Sequence, residues 1–153
     1  MSALELKIPP PIVALLIGGA MWFGVRQGPA LELPALVRAA AFAAIALLGG
    51  AIAFAGNIAF RRARTTVNPF RPQNATALVT SGVFRFTRNP MYLGLAFLVL
   101  GWAVFLCSPW ALAGPVVFVL YVDRFQIKPE EKILSAKFGA AYAEYAARVR
   151  RWL

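Results

Sequence analysis

The chain has 153 residues, 60% of them hydrophobic and 14% charged, and its 16 Lys and Arg against 6 Asp and Glu give a formal net charge of +10. An ordinary soluble domain carries roughly 25% charged residues, so water is not the main solvent of this chain. It contains no histidine and one cysteine, Cys107, which excludes intrachain disulfides, Cys-rich metal sites, and the commonest general base and transition-metal ligand.

The length suggests one domain, residues 1–153. Its apolar runs predict an all-α integral membrane protein with about four transmembrane helices and amphipathic C-terminal helices on the cytoplasmic side. No convincing small-x-small cleavage site precedes the first polar turn, so the first apolar run is expected to stay in the mature protein. That run, Ile12 to Val25, is short for a span and follows Pro9, Pro10 and Pro11, which the first turn of a helix tolerates. Arg26 to Pro34 should form a turn broken by Gly28, Pro29 and Pro34. The second span, Ala35 to Phe60, is the clearest. Arg38 near its start can snorkel to the interface, and Gly49, Gly50 and Gly56 make it thin enough for close packing.

From Arg61 to Pro90 the character changes, with six arginines, Pro69, Pro72 and Gly82, and no apolar run long enough to span. A loop of this length inside a compact protein is usually a working part, and Phe70, Phe84 and Phe86 suggest that it lies along the membrane surface. Met91 to Leu106 and Trp110 to Val122 follow as a tight antiparallel hairpin, joined only by Cys107, Ser108 and Pro109. Cys107 should pack as a small apolar residue near a helix end. In the tail, 123–153, Pro129 is placed to start a helix and Gly139 to interrupt it. Leu134, Phe138, Tyr142, Tyr145 and Val149 share one helical face. Lys128, Lys132, Lys137, Arg148, Arg150 and Arg151 fall on the other faces, which should lie against the cytoplasmic surface.

The basic residues cluster in the 61–90 loop and in the tail, so both ends of the chain should be cytoplasmic, in a cell (inner) membrane. Topology and anionic headgroups already account for such clusters, and a nucleic-acid partner is not expected.

The strongest local pattern is Gly82-Val83-Phe84-Arg85-Phe86-Thr87-Arg88-Asn89-Pro90-Met91-Tyr92-Leu93-Gly94. Some forty residues on come Glu130-Glu131-Lys132-Ile133-Leu134 and then Phe138-Gly139-Ala140-Ala141-Tyr142. Taken singly, these have plain structural readings. Pro129, Glu130 and Glu131 suit a helix start, where acidic side chains gain about 0.3 to 1 kcal/mol. Arg88-Asn89-Pro90 suits a positive-inside anchor, and Tyr142 and Tyr145 suit a packed face. Together and in this order, over roughly Thr65 to Leu153, they resemble the isoprenylcysteine carboxyl methyltransferase family and the related phospholipid N-methyltransferases. Their motif is Arg, His or Asn, Pro, any residue, Tyr, and a later Glu-Glu pair. Asn89 and the short chain resemble the bacterial members.

The resemblance implies S-adenosylmethionine as methyl donor, S-adenosylhomocysteine as product, and a lipophilic or membrane-partitioned acceptor: an isoprenylcysteine-like carboxylate, a phospholipid amine or a thiol. It implies cofactor binding by Arg88, Asn89, Pro90, Tyr92, Gly94, Glu130, Glu131, Leu134 and Tyr142, with Arg88 and Glu131 as catalytic candidates and no metal. The chemistry is consistent, because a sulfonium, an amino-acid end, a ribose diol and an adenine need carboxylates, donors and aromatic walls. Glu130 or Glu131 can accept from the ribose or the α-amino group, Arg88 can pair with a carboxylate, and the backbone at Asn89 and Gly94 can approach the adenine. Methyl transfer to a thiolate or carboxylate needs no general base, so the absence of histidine is compatible with it. Membrane sterol reductases that bind NADPH resemble the C-terminal part, but their Tyr is usually followed by an aromatic, a Gly and an acidic residue, where this chain has Leu93, Gly94 and Leu95. A small four-helix transporter would need an ionisable group within the membrane, and the apolar spans hold no carboxylate.

Overall fold

The computed structural model describes residues 5–25, 31–64 and 76–153. Helix α1 is Pro10–Val25, α2 is Ala35–Arg62 and α3 is Pro90–Leu106. A short 3-10 turn, Pro109–Leu112, leads into α4, Ala113–Val122; a single π turn, Asp123–Ile127, leads from α4 into α5, Lys128–Phe138. Helix α6, Ala140–Arg148, completes the fold, and among the described residues there is no β-strand.

Two helical stretches are long and apolar enough to cross a membrane: α2, and the 30-residue rod Pro109–Phe138 that contains α4 and α5. At about 1.5 Å per residue α2 reaches roughly 42 Å, beyond the roughly 30 Å of a hydrocarbon core. The apolar helices α1 and α3, of 16 and 17 residues, are shorter. Outward faces bear large apolar side chains in open view, among them Leu15 at 75%, Leu36 at 80% and Leu47 at 74% exposure. In water such belts would drive association; in a bilayer they face a solvent as apolar as themselves.

With lipid removing the hydrophobic drive between helices, close backbone approach must hold the bundle. The extensive α2–α3 contact shows how. Gly49 and Gly94 face each other so closely that a Cβ on Gly94 would lie 2.5 Å from the Gly49 carbonyl oxygen. Higher in the bundle, Trp102 donates to the Gly18 carbonyl of α1 at 3.1 Å and stacks on Trp22 and Phe105, which places it between helices rather than at an interface level. Arg38 donates through Nε to the Phe105 carbonyl at 2.7 Å, satisfying one of the carbonyls that α3 leaves orphaned at its C-terminal end. The hairpin after α3 turns at Cys107, buried and left-handed with φ 50°, and the Leu31 N–H donates to its carbonyl at 2.7 Å.

The core divides in two. Val13, Met21, Tyr92, Val99, Phe118 and Ile127 belong to a cluster between α1, α3 and the rod. A smaller cluster joins Tyr142 and Tyr145 to Ala59, Val79 and Phe84. The amphipathic tail face read from the sequence is therefore buried against the segment before α3 and the end of α2. Phe84 is buried, Phe86 is 72% exposed, and Phe70 lies outside the described residues. A surface placement for all three aromatics is thus corrected: Phe84 is held under α6, where Tyr145 OH donates to its carbonyl at 2.8 Å and Phe60 meets its ring edge-on. The rod also departs from expectation, because the chain stays helical from α4 through Pro129 instead of breaking before the tail.

Candidate active site

The polar residues gather at one end of the bundle, where α3 begins, α5 begins and the chain leaves α6. Pro90 opens α3 at a position that needs no N–H donor, and Asn89, ahead of it, makes no capping bond with its side chain. That side chain is used elsewhere. After α6 the backbone becomes extended at Val149, and the residues that follow lie along Thr87 to Asn89. Arg88 N–H donates to the Arg150 carbonyl at 3.1 Å, and the Arg151 carbonyl accepts from Asn89 Nδ2 at 2.9 Å and Thr87 Oγ1 at 3.3 Å. Thr87, 1% exposed, also accepts from the Asn89 N–H at 3.2 Å.

Laid down this way, Arg151 turns its guanidinium inward. Its Nε and Nη2 donate to the two oxygens of Glu131 at 3.0 and 2.7 Å, and its Nη1 donates to Asp123 at 2.9 Å. The forked bond to Glu131 raises Arg151 further above its ordinary range, so its charge is permanent. Arg88 grips the same carboxylate from the other side, Nη2 to Oε1 at 2.9 Å, and Lys128 pairs with Asp123 at 3.1 Å. The result is an alternating row, Lys128, Asp123, Arg151, Glu131, Arg88. With the Arg88 and Glu131 side chains only 13% and 19% exposed, loss of any partner would leave a charge poorly solvated.

The neighbouring Glu130 looks the other way. Tyr92 OH, from the first turn of α3, donates to its Oε1, and among the described residues no cation pairs with it. Tyr142 is buried; burial, and then the charge of Glu131, pushes its phenol up to about 12, so it stays protonated in any physiological buffer. Burial raises Tyr145 as well.

Of the residues singled out in the sequence, the structure brings Arg88, Asn89, Tyr92, Glu130, Glu131 and Tyr142 to this one end. Pro90 is buried against Gly56 of α2, and Leu134 is half-buried in the Tyr142–Tyr145 cluster. Gly94 lies in the α2 crossing, packed against Gly49 and Ala53. Sequence reasoning missed Arg151, Thr87 and Asp123. Arg151 falls among seven basic tail residues, and the only hint of its separate role is that the apolar face of α6 stops at Val149. Arg148, by contrast, is 67% exposed and, among the described residues, pairs only with Glu144.

Helices with exposed apolar belts, and a charged, carboxylate-bearing cluster at one end of the bundle, define a helical membrane protein. A family model described as "Phospholipid methyltransferase" matches residues 37–141, and the chain belongs to this family. It is 36% identical over 91 residues to Protein-S-isoprenylcysteine O-methyltransferase B of Arabidopsis thaliana, covering 58% of this chain and 45% of that one. To Protein-S-isoprenylcysteine O-methyltransferase of Mus musculus it is 41% identical over 75 residues, 47% of this chain and 25% of that one. An uncharacterized protein of Haemophilus influenzae is matched over its whole length at 43% identity, covering 41% of this chain. The chain thus spans less than half the length of the named methyltransferases that it matches. No solved structure matches it significantly.

Proposed function

We propose that the protein is an integral membrane methyltransferase that takes its methyl group from S-adenosylmethionine and passes it to a lipophilic or membrane-partitioned acceptor, such as an isoprenylcysteine-like carboxylate, a phospholipid amine or a thiol. The observation that carries this reading is the split role of two adjacent carboxylates: Glu131 held by Arg88 and Arg151, Glu130 bonded to Tyr92 OH without a cation. The donor set fits the cofactor. Glu130 offers an acceptor that lacks a positive partner, and Arg88 Nε is buried with no hydrogen-bond partner, which suits the ammonium and carboxylate of an amino-acid end. Tyr142 supplies a neutral phenol for a ribose or adenine edge.

When bound, S-adenosylmethionine would supply a methyl carbon activated by a sulfonium, leaving S-adenosylhomocysteine as its product. The task left to the chain is orientation. Arg88 and Glu130 would hold the amino-acid end, Tyr142 the nucleoside end, with Glu131 and Tyr92 fixing those two side chains, and the apolar helices would keep water from the lipid side. Holding reactants in line supplies most of what such a transfer needs, since effective molarities reach about 10⁵ to 10⁸ M. Four spans, α1 to α4, with the site and both ends of the chain on the cytoplasmic side of an inner membrane, agree with the basic residues collected at this end. A reductase reading is disfavoured, because Tyr92 is followed by Leu93, Gly94 and Leu95, where such reductases usually carry an acidic residue. Titration calorimetry on the detergent-solubilised protein tests the choice: heat with S-adenosylmethionine at micromolar Kd and none with NADPH is expected, and the reverse result would overturn it.

A further inference from the structure

The rod Pro109–Phe138 is helical throughout but not uniform. Its middle, Asp123–Ile127, is a π turn in which the Lys128 N–H reaches back five residues to the Asp123 carbonyl. Pro129 supplies the local cause. It has no N–H, and in an α-helix its ring would crowd the carbonyl four residues earlier, that of Phe125. The wider turn makes room, and the Phe125 carbonyl accepts instead from the Leu6 N–H at 3.0 Å.

Two further contacts fasten the same N-terminal segment to the turn. Gln126 Nε2 donates to the Ile8 carbonyl at 2.8 Å, and Arg124 pairs with Glu5 at 3.3 Å. Gln126 is 0% exposed and its Oε1 is buried without a partner, so this fully buried amide makes a single bond, and that bond ties the π turn to the segment before α1. Burying an amide with half its capacity unmet is unfavourable, and π turns are frequent at functional sites.

One residue of an α-helix turns the chain by about 100°. The extra residue of the π turn therefore rotates everything after Ile127 by about that angle relative to α4. That rotation decides where two adjacent carboxylates point: Glu130 at Tyr92, Glu131 at Arg88 and Arg151. We infer that the π turn, anchored through Gln126 to the segment before α1, is a register device that aims the Glu130–Glu131 pair, with Gln126 as a positioning residue. This rests on reading the pair as the cofactor carboxylates.

The geometry makes a sharp demand. Closing the turn into an α-helix at full length moves each later residue into its successor's place, so Glu130 arrives between Arg88 and Arg151 and residue 129 meets Tyr92. Removing one residue as the turn closes leaves every later residue where it stands. Arg124, whose side chain is 54% exposed, is the residue whose removal disturbs packing least.

The experiment compares three chains in detergent: the native one, Gln126→Leu with Pro129→Ala, and that pair with Arg124 deleted. Each is measured for S-adenosylmethionine binding by calorimetry and for its thermal unfolding midpoint without ligand. The paired substitutions free the turn to close at full length and should weaken binding at least tenfold and lower the midpoint; deleting Arg124 as well restores the register and should recover most of both. Native-like binding by the paired variant, or no recovery on deleting Arg124, would overturn the inference; a general packing defect would not be repaired by removing a further residue. Should neither variant fold, Gln126→Leu alone decides: at least a fivefold loss of affinity with unchanged circular dichroism supports the device, and unchanged affinity overturns it. If the native protein gives no heat with S-adenosylmethionine, the cofactor reading has failed, and the three midpoints still judge the register device.

Discussion

Glu131 carries more of the site than any other side chain, because two arginines from different parts of the chain converge on it. Replacing it with Gln keeps the shape and removes the charge, leaving Arg88 and Arg151 facing each other. Glu131→Gln should abolish measurable S-adenosylmethionine binding by calorimetry, while Arg64→Gln, on an exposed residue past the end of α2, should scarcely alter it. Tyr92→Phe takes the donor from Glu130 and buries the oxygen without a partner, a loss of about 1 to 3 kcal/mol, or roughly five- to 150-fold in Kd if the pair holds the cofactor. Arg151→Lys retains a charge but not the fork that serves Glu131 and Asp123 together, and it should weaken cofactor binding while leaving the helices intact by circular dichroism. If Arg151→Lys binds like the native protein, the tail contributes only its backbone to the site.

At the scale of elements, the helices were legible because apolar runs and breakers fix them. The ends of α1, α2 and α3 fall within two residues of where prolines and arginines place them. Gly139, with φ 52°, separates α5 from α6 as its lack of a Cβ suggests. Two things were not legible. The π turn keeps the chain helical across Pro129, and only the N-terminal segment, distant in sequence, accepts the consequence by donating to Phe125. The role of Gly94 was hidden too, since a glycine beside a motif reads alike whether a ligand or a helix approaches it. Gly94→Ala puts a methyl 2.5 Å from the Gly49 oxygen and 2.8 Å from the Ala53 Cβ, both on a rigid neighbour. It should cost about 1 to 3 kcal/mol through separation of α2 from α3, seen as a lower unfolding temperature in detergent. An unchanged midpoint would mean that the two helices are not held at this crossing.

For the molecule as a whole, the candidate site was readable as a set of residue types but not as an arrangement. The Arg88 motif and the Glu130–Glu131 pair could be chosen from the sequence, and they meet at 2.9 Å. Arg151 could not, because its place depends on an extended stretch crossing the segment before α3, a contact between residues more than sixty positions apart. The apolar belts and the charged end together predict that the site opens to water and lipid at once. Cysteine introduced at Lys132 should then react with a membrane-impermeant maleimide only from the cytoplasmic side of oriented vesicles, and labelling from the opposite side would contradict the proposed orientation. The most direct trial of the central claim is to incubate the purified protein, in vesicles of native lipid, with S-adenosylmethionine carrying an isotopically labelled methyl group, and to search lipids and small thiols by mass spectrometry. The account predicts a labelled lipophilic product that disappears with Glu131→Gln; label transfer that persists in that variant, or no transfer by a protein shown to be folded, would contradict it.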